Sequence, residues 1–118
     1  MIISDEGLIL LKDALVDIRN NPKLHDQGVW YRQDWCGTTC CLFGNIALRA
    51  GATVVRHESG MIKCPDGLVL HVFDYVRELL GVDIWVADVL SNGGNNIDDL
   101  ERMYGQLEND EGPTRDDR

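Results

Sequence analysis

The sequence predicts an α+β fold that is mainly α, with about five helices and one small antiparallel β-hairpin. Apolar residues recur with helical spacing in several segments, as is typical of helices that bury one face. Residues 53–64 instead place a β-branched run and a second apolar run on either side of Ser59-Gly60, which predicts a hairpin. A line of small residues marks the helix around which we expect the others to pack: Cys40, Gly44, Ala47 and Gly51.

The first helix is predicted over residues 5–20, with Ser4 as its N-cap. Its buried face is predicted from four apolar residues at helical spacing: Leu8, Leu11, Leu15 and Ile18. Residues 23–34 have no clean period and are interpreted as an ordered loop. We expect Trp30 and Trp35 to close over the small residues of the central helix.

The central helix is predicted to begin at Thr38 or Thr39, which can cap it, and to end at Gly51. The hairpin follows, with strands over residues 53–56 and 61–64. Residues 68–71 fit either a third strand or the entry to a helix, because periodicity does not separate the two in so short a run.

Three helices are predicted in the C-terminal part. The first covers residues 72–80 and stops at Gly81, and the second covers 84–90, with Trp85 buried beside Val89. The third begins at Asn96 with a capping-box acid three residues on. Residues 109–118 are charged and lack aliphatic side chains, so the sequence predicts a single domain over 1–108 and a disordered acidic tail.

Charge is distributed unevenly along the chain. Of the net charge of −9, residues 74–118 carry −8, from 12 acidic and 4 basic residues. This balance argues against direct binding to nucleic acid and permits a basic protein partner. No apolar run reaches the ~18 residues of a membrane span and no signal peptide is recognised, so we expect no membrane association and a cytoplasmic location.

The cysteines leave three interpretations open. A zinc site could use Cys36, Cys41, Cys64 and His57, although the paired knuckles of structural zinc sites are absent. A disulfide could join Cys41 to Cys36 or to Cys64. The favoured interpretation is that the thiols pack as small apolar groups, with neither a metal nor another cofactor.

The sequence permits two enzymatic hypotheses. Cys36 near a helix N-terminus, with a histidine as base, would be the nucleophile of a cysteine-dependent enzyme. His25 and Asp26 could form an oriented base, but they are more simply explained as a polar pair that anchors a loop. No catalytic signature is recognised, and we expect a non-enzymatic protein.

The central stretch carries a distinctive order of residues: His25-Asp26-Gln27, Trp30, Cys36-Gly37-Thr38, Cys41, Gly44, Ala47 and Ala50-Gly51. This order resembles a group of small uncharacterised proteins from actinobacteria and their phages, especially mycobacteriophages. The resemblance extends over residues 20–107. This chain departs from the pattern at Asn45, where the group often has Trp, and in its additional Cys40. The resemblance implies a viral or actinobacterial origin, and it implies no activity.

We therefore expect a small cytoplasmic protein, in the host cytoplasm if phage-encoded, that binds and modulates a host or phage protein. The acidic C-terminal part and an exposed aromatic side chain are the predicted contact surface, because aromatic residues are favoured at interfaces. The candidate binding residues are Trp85, Tyr104, Asp98, Asp99 and Glu101. The sequence does not determine the oligomeric state.

Overall fold

The computed structural model describes residues 2–34 and 37–115. Over these residues the fold is α+β and mainly helical with five α-helices, as the sequence predicts, and it has two small antiparallel sheets where the sequence predicts one hairpin. The helices are α1 (Asp5–Asn20), α2 (Leu42–Arg49), α3 (Val72–Leu80), α4 (Ile84–Ser91) and α5 (Ile97–Glu108). The strands are β1 (Tyr31–Asp34), β2 (Gly37–Cys40), β3 (Thr53–Arg56), β4 (Met61–Lys63) and β5 (Val69–His71).

The helix α2 is the centre of the core, as expected. It packs against α1, α3 and α4, and its Phe43, Ile46 and Ala47 side chains are fully buried. Its predicted start at Thr38 or Thr39 is wrong, because residues 37–40 pair with residues 31–34 as a hairpin. Cys41 is the N-cap instead, and its Sγ accepts a hydrogen bond from the Gly44 amide at 3.4 Å.

Gly44 explains why small residues line this part of the chain. A Cβ at this position would lie 2.5 Å from the Trp30 carbonyl oxygen and 2.8 Å from the Cys40 Cβ. The Trp30 backbone therefore closes over α2, whereas its ring packs edge-on against His71, with the ring centroids 4.9 Å apart. Trp35 lies outside the described residues.

The predicted hairpin of residues 53–64 is confirmed as β3 and β4, and β5 adds a third strand to the same sheet. Ile62 lies opposite both Val54 and Leu70 and is fully buried, so these three positions form the inner face. The open choice at residues 68–71 is thus resolved as a strand that leads directly into α3.

Local capping signals fix the ends of three helices as predicted. The Ser4 hydroxyl accepts from the Gly7 amide at the start of α1, and Gly81 ends α3 with a left-handed φ of 66°. Asn96 and Asp99 form a reciprocal capping box at the start of α5. Among the described residues, none of the helices has the length and apolar character needed to cross a membrane.

The part of the predicted tail up to Arg115 folds back along α5 instead of extending away from it. Asp110 turns the chain with a φ of 58°, and Pro113 is buried. We call residues 110–115 the strap. The expectation that residues 109–118 form a disordered tail stays a prediction, and residues 116–118 lie outside the described part of the chain.

Candidate functional site

The predicted acidic residues of α5 are largely occupied by contacts within the protein. Asp98 and Glu101 both accept hydrogen bonds from the guanidinium of Arg19 on α1, with 2.7 Å between Arg19 Nη2 and Asp98 Oδ1. The hydrogen bond to Glu101 and then that to Asp98 raise the pKa of Arg19 further above its usual range. Part of the acidic face is therefore neutralised by α1.

Asp99 is only 6% exposed, and its carboxylate accepts a hydrogen bond from the Asn96 amide at 2.9 Å. The structure assigns this predicted binding residue to the capping box of α5. A carboxylate in a capping box stabilises its helix and is not presented to a partner.

Tyr104 and Trp85 do not lie on one surface. The Tyr104 hydroxyl donates to Glu108 on α5 at 3.2 Å, and Tyr104 points about 160° around the helix from Arg102 and Gln106. It is Arg102 and Gln106 that contact the strap, and the strap in turn contacts Trp85. The two predicted aromatic residues are thus on opposite flanks of α5.

Trp85 is half exposed, at 50%, and Ile84 beside it is 58% exposed. The predicted burial of Trp85 with Val89 is therefore wrong: Val86, Ala87 and Leu90 form the buried face of α4, and Trp85 lies on its outer face with Ile84. Three exposed carboxylates are associated with these two side chains. Asp83 and Asp88 are close to them in sequence, and Glu111 precedes Gly112, whose backbone contacts the Trp85 ring. We call these five residues the Trp85 patch.

The strap lies between Trp85 of α4 and the outer side of α5. A Cβ built on Gly112 would lie 2.7 Å from the tip of the Trp85 ring, so the backbone at Gly112 is in direct contact with the indole. Pro113, the next residue, is buried. The Gly112-Pro113 segment therefore packs against the tip of a tryptophan that is otherwise half exposed.

Thr114 is held by both of its backbone groups and by its hydroxyl. Its amide donates to Gln106 Oε1 at 3.0 Å, and its hydroxyl accepts from Gln106 Nε2 at 2.9 Å. Its carbonyl oxygen accepts from Arg102 Nη1 at 2.7 Å. We call the surface formed by Trp85, Arg102 and Gln106 the strap groove.

A second concave feature is a cleft of about 460 Å³ next to the end of α1 and the start of α5. Its lining includes His25 and Asp26, which the structure does not bring together as an oriented base. His25 Nε2 lies 2.9 Å from Gln27 Oε1, whereas Asp26 accepts from Arg32 and from the Gly28 amide. The Gly28 amide and then the Arg32 guanidinium hold the pKa of Asp26 below its usual value.

The buried Gln27 determines which nitrogen of His25 carries the proton. Gln27 Nε2 donates to the Leu90 carbonyl at 3.0 Å, and Gln27 Oε1 accepts from the Leu42 amide at 3.0 Å. Gln27 Oε1 can therefore only accept from His25, so Nε2 of the neutral ring is the protonated nitrogen. This arrangement anchors the 25–27 loop to α2 and α4, in agreement with the loop-anchor interpretation.

The three described cysteines are Cys40, Cys41 and Cys64, and all are buried free thiols. A disulfide between Cys41 and Cys64 is therefore not formed. Burial raises the pKa of Cys40 to about 12, and it also raises the pKa values of Cys41 and Cys64. These thiols are neutral near pH 7 and pack as small apolar groups.

Of the alternative zinc ligands, Cys41, Cys64 and His57 do not form a metal-holding group in the described part of the chain. Cys36 lies outside that part. The hypothesis of a cysteine-dependent enzyme depends on this same residue.

Sequence reasoning missed Arg102, Gln106 and Gln27. The sequence analysis assigns no role to the first two, and it places Gln27 in an aperiodic loop. The pair Gly112-Pro113 was a usable signal, because it suits a flat, extended segment as well as a disordered one.

Comparison of the chain with protein-family models, with curated proteins and with solved structures found no match.

Proposed function

We propose that this chain is a small non-enzymatic module, of phage type, that binds a host or phage protein in the host cytoplasm. The observation that carries the proposal is the Trp85 patch. A tryptophan that is half exposed, beside an isoleucine that is more than half exposed, offers a large apolar area that a partner could bury.

The charge around the patch indicates the chemistry of the partner. Asp83, Asp88 and Glu111 are exposed, and residues 74–118 as a whole carry a charge of −8. Partner surfaces with lysine or arginine around an apolar centre are complementary to such a patch. Among the described residues, the other large apolar side chains that are exposed support the choice of this site, because they are aliphatic: Ile9, Val16, Leu24, Val55, Leu68 and Val69.

The test compares Trp85→Ala with Ile9→Ala, a matched loss of an exposed apolar side chain on α1. Proteins retained from an actinobacterial lysate are identified, and each is then purified and titrated against the two variants. We expect Trp85→Ala to weaken a true partner about 30-fold or more, the change typical of an interface hot spot, and Ile9→Ala to have little effect.

Salt supplies a second readout on the purified pair. Raising the salt from about 0.05 M to about 0.5 M screens exposed charges, so we expect binding of a basic partner to weaken. Equal affinities for wild type and Trp85→Ala would contradict the proposal, provided that both proteins are folded.

A further inference from the structure

We propose that the strap groove is a peptide-binding groove which residues 110–115 occupy in cis, and that it receives an extended Gly-Pro-Thr segment of the partner. This inference rests on the proposed function, since it names the part of a partner that the surface around Trp85 would bind. The strap occupies the groove within the same chain, so it competes with a partner segment. Its contacts therefore indicate which groups the groove recognises.

The first contact is that between the Gly112 backbone and the tip of the Trp85 ring. Gly112 lies so close to the Trp85 ring that a Cβ would come within 2.7 Å of it. Pro113 then enters a buried position, and proline gives up no amide hydrogen bond when it is buried. Proline also has its φ fixed by its ring, which lowers the entropy cost of docking at this position.

The second contact recognised is the residue after the proline. The Gln106 side chain binds both the amide and the hydroxyl of Thr114, while Arg102 binds its carbonyl oxygen. Serine or threonine satisfies this pair of contacts, and a proline would lack the amide donor. Arg102 Nη2 is in addition buried without a hydrogen-bond partner among the described residues, which leaves a donor for a longer ligand.

The strap is attached in a way that allows release. Asp110 holds a left-handed φ of 58°, a conformation that few residues with a side chain adopt. Its carboxylate accepts a hydrogen bond from the exposed Ile2 amide at 3.2 Å. Segments with few buried contacts open at a lower free energy than the global unfolding reaction.

The experiment uses the full chain and a synthetic peptide with the sequence of residues 109–115, Asn-Asp-Glu-Gly-Pro-Thr-Arg. The substitution Thr114→Pro removes the amide donor and hydroxyl of the strap and leaves Trp85, Arg102 and Gln106 intact. Gly105→Ala is the control variant, since nothing lies within 4 Å of a Cβ at that position. Binding is followed by the NMR signals of the Trp85 indole and the Gln106 side-chain amide.

We expect the peptide to shift both signals in Thr114→Pro, with an affinity at least about tenfold higher than in wild type or Gly105→Ala, where the strap competes. The same peptide with proline in place of threonine should not bind. Equal binding to wild type and Thr114→Pro, or no binding to either, would overturn the proposal.

Two further outcomes are decided in the same experiment. If Thr114→Pro does not fold, wild type is titrated to high peptide concentration, where the Thr114 amide should move to its released position; an unmoved signal refutes the groove. If wild type forms a concentration-dependent dimer and Thr114→Pro is monomeric, the occupant of the groove is a second copy of this chain. That result would overturn the assignment to another protein. If the peptide fails while Trp85→Ala still weakens the captured partner, the groove alone is refuted and the proposed function stands.

Discussion

Gly44 and Gly112 each lie against a tryptophan, but the two contacts differ in what the glycine touches. At Gly44 a Cβ would meet the Trp30 carbonyl oxygen and the buried Cys40 Cβ, neither of which can move away without displacing the core. At Gly112 it would meet the tip of the half-exposed Trp85 ring, which can rotate. The contact at α2 is therefore rigid, whereas the strap contact can adjust, as a binding surface requires.

The largest effect is expected at the rigid contact. Gly44→Ala forces the methyl group into the Trp30 backbone, and we expect a loss of about 3 kcal/mol in the free energy of unfolding. Gly105→Ala on α5 is the control, since it has open space and should gain about 0.5–1 kcal/mol from helix propensity. Urea unfolding measures both; a Gly44→Ala protein as stable as wild type would mean that this contact is not rigid.

The second effect concerns Cys40, which lies in the same contact. Its pKa is raised from an ordinary value of 9.0 to about 12 by burial, so the unfolded chain ionises first as the pH rises. We expect the free energy of unfolding to fall between about pH 9 and pH 12. The decrease should be smaller in Cys40→Ala, which lacks this thiol.

Iodoacetamide near pH 7 gives an independent check on the same thiols. Peptide mass mapping should show Cys40, Cys41 and Cys64 reacting slowly in the folded protein and readily in guanidinium, because each is buried and neutral. Rapid alkylation of Cys40 in the native protein would contradict the rigid packing beside Gly44.

A smaller effect is expected at the start of α5, the helix that supports the strap. Asp99→Ala removes half of the capping box and should cost about 1 kcal/mol. Asp98→Ala, one residue away and exposed, should cost less. Urea unfolding distinguishes them, and equal costs would show that the capping box contributes no more than the surface contact.

A comparably small effect on stability is expected at Trp85. Because its ring is half exposed, Trp85→Ala should lower the free energy of unfolding by no more than about 1 kcal/mol while it weakens partner binding about 30-fold or more. Gly112→Ala should change stability by less, since the ring can move. If Trp85→Ala unfolds the protein in a thermal melt, Trp85 is a core residue and the docking surface is misassigned.

The residues that were predicted well are those whose environment is set within a few positions along the chain. Ser4 caps α1, Asn96 and Asp99 form their box and Gly81 ends α3, because each of these interactions is closed by neighbours in sequence. The apolar periods of α1 and α5 and the hairpin β3–β4 were found for the same reason.

The candidate site could be predicted only in part. Trp85 was identified as a candidate from its residue type alone, but its exposure depends on which face of α4 packs against the core. Tyr104 and Asp99 were grouped with it by sequence, and the helix places one on the opposite flank of α5 and buries the other. No local sequence pattern determines which side of a helix faces the solvent at each of these three residues.

The sequence by itself therefore determined the fold class, most helix ends and the acidic character of the C-terminal part, since these follow from short-range hydrogen bonds, periodicity and composition. Tertiary structure decided where α2 begins, because residues 37–40 gain strand partners at residues 31–34. It also decided that the strap lies on Trp85 and that Arg19 pairs with Asp98 and Glu101. These contacts join residues that are far apart in the chain, and their free energy exists only once the core has brought the two surfaces together.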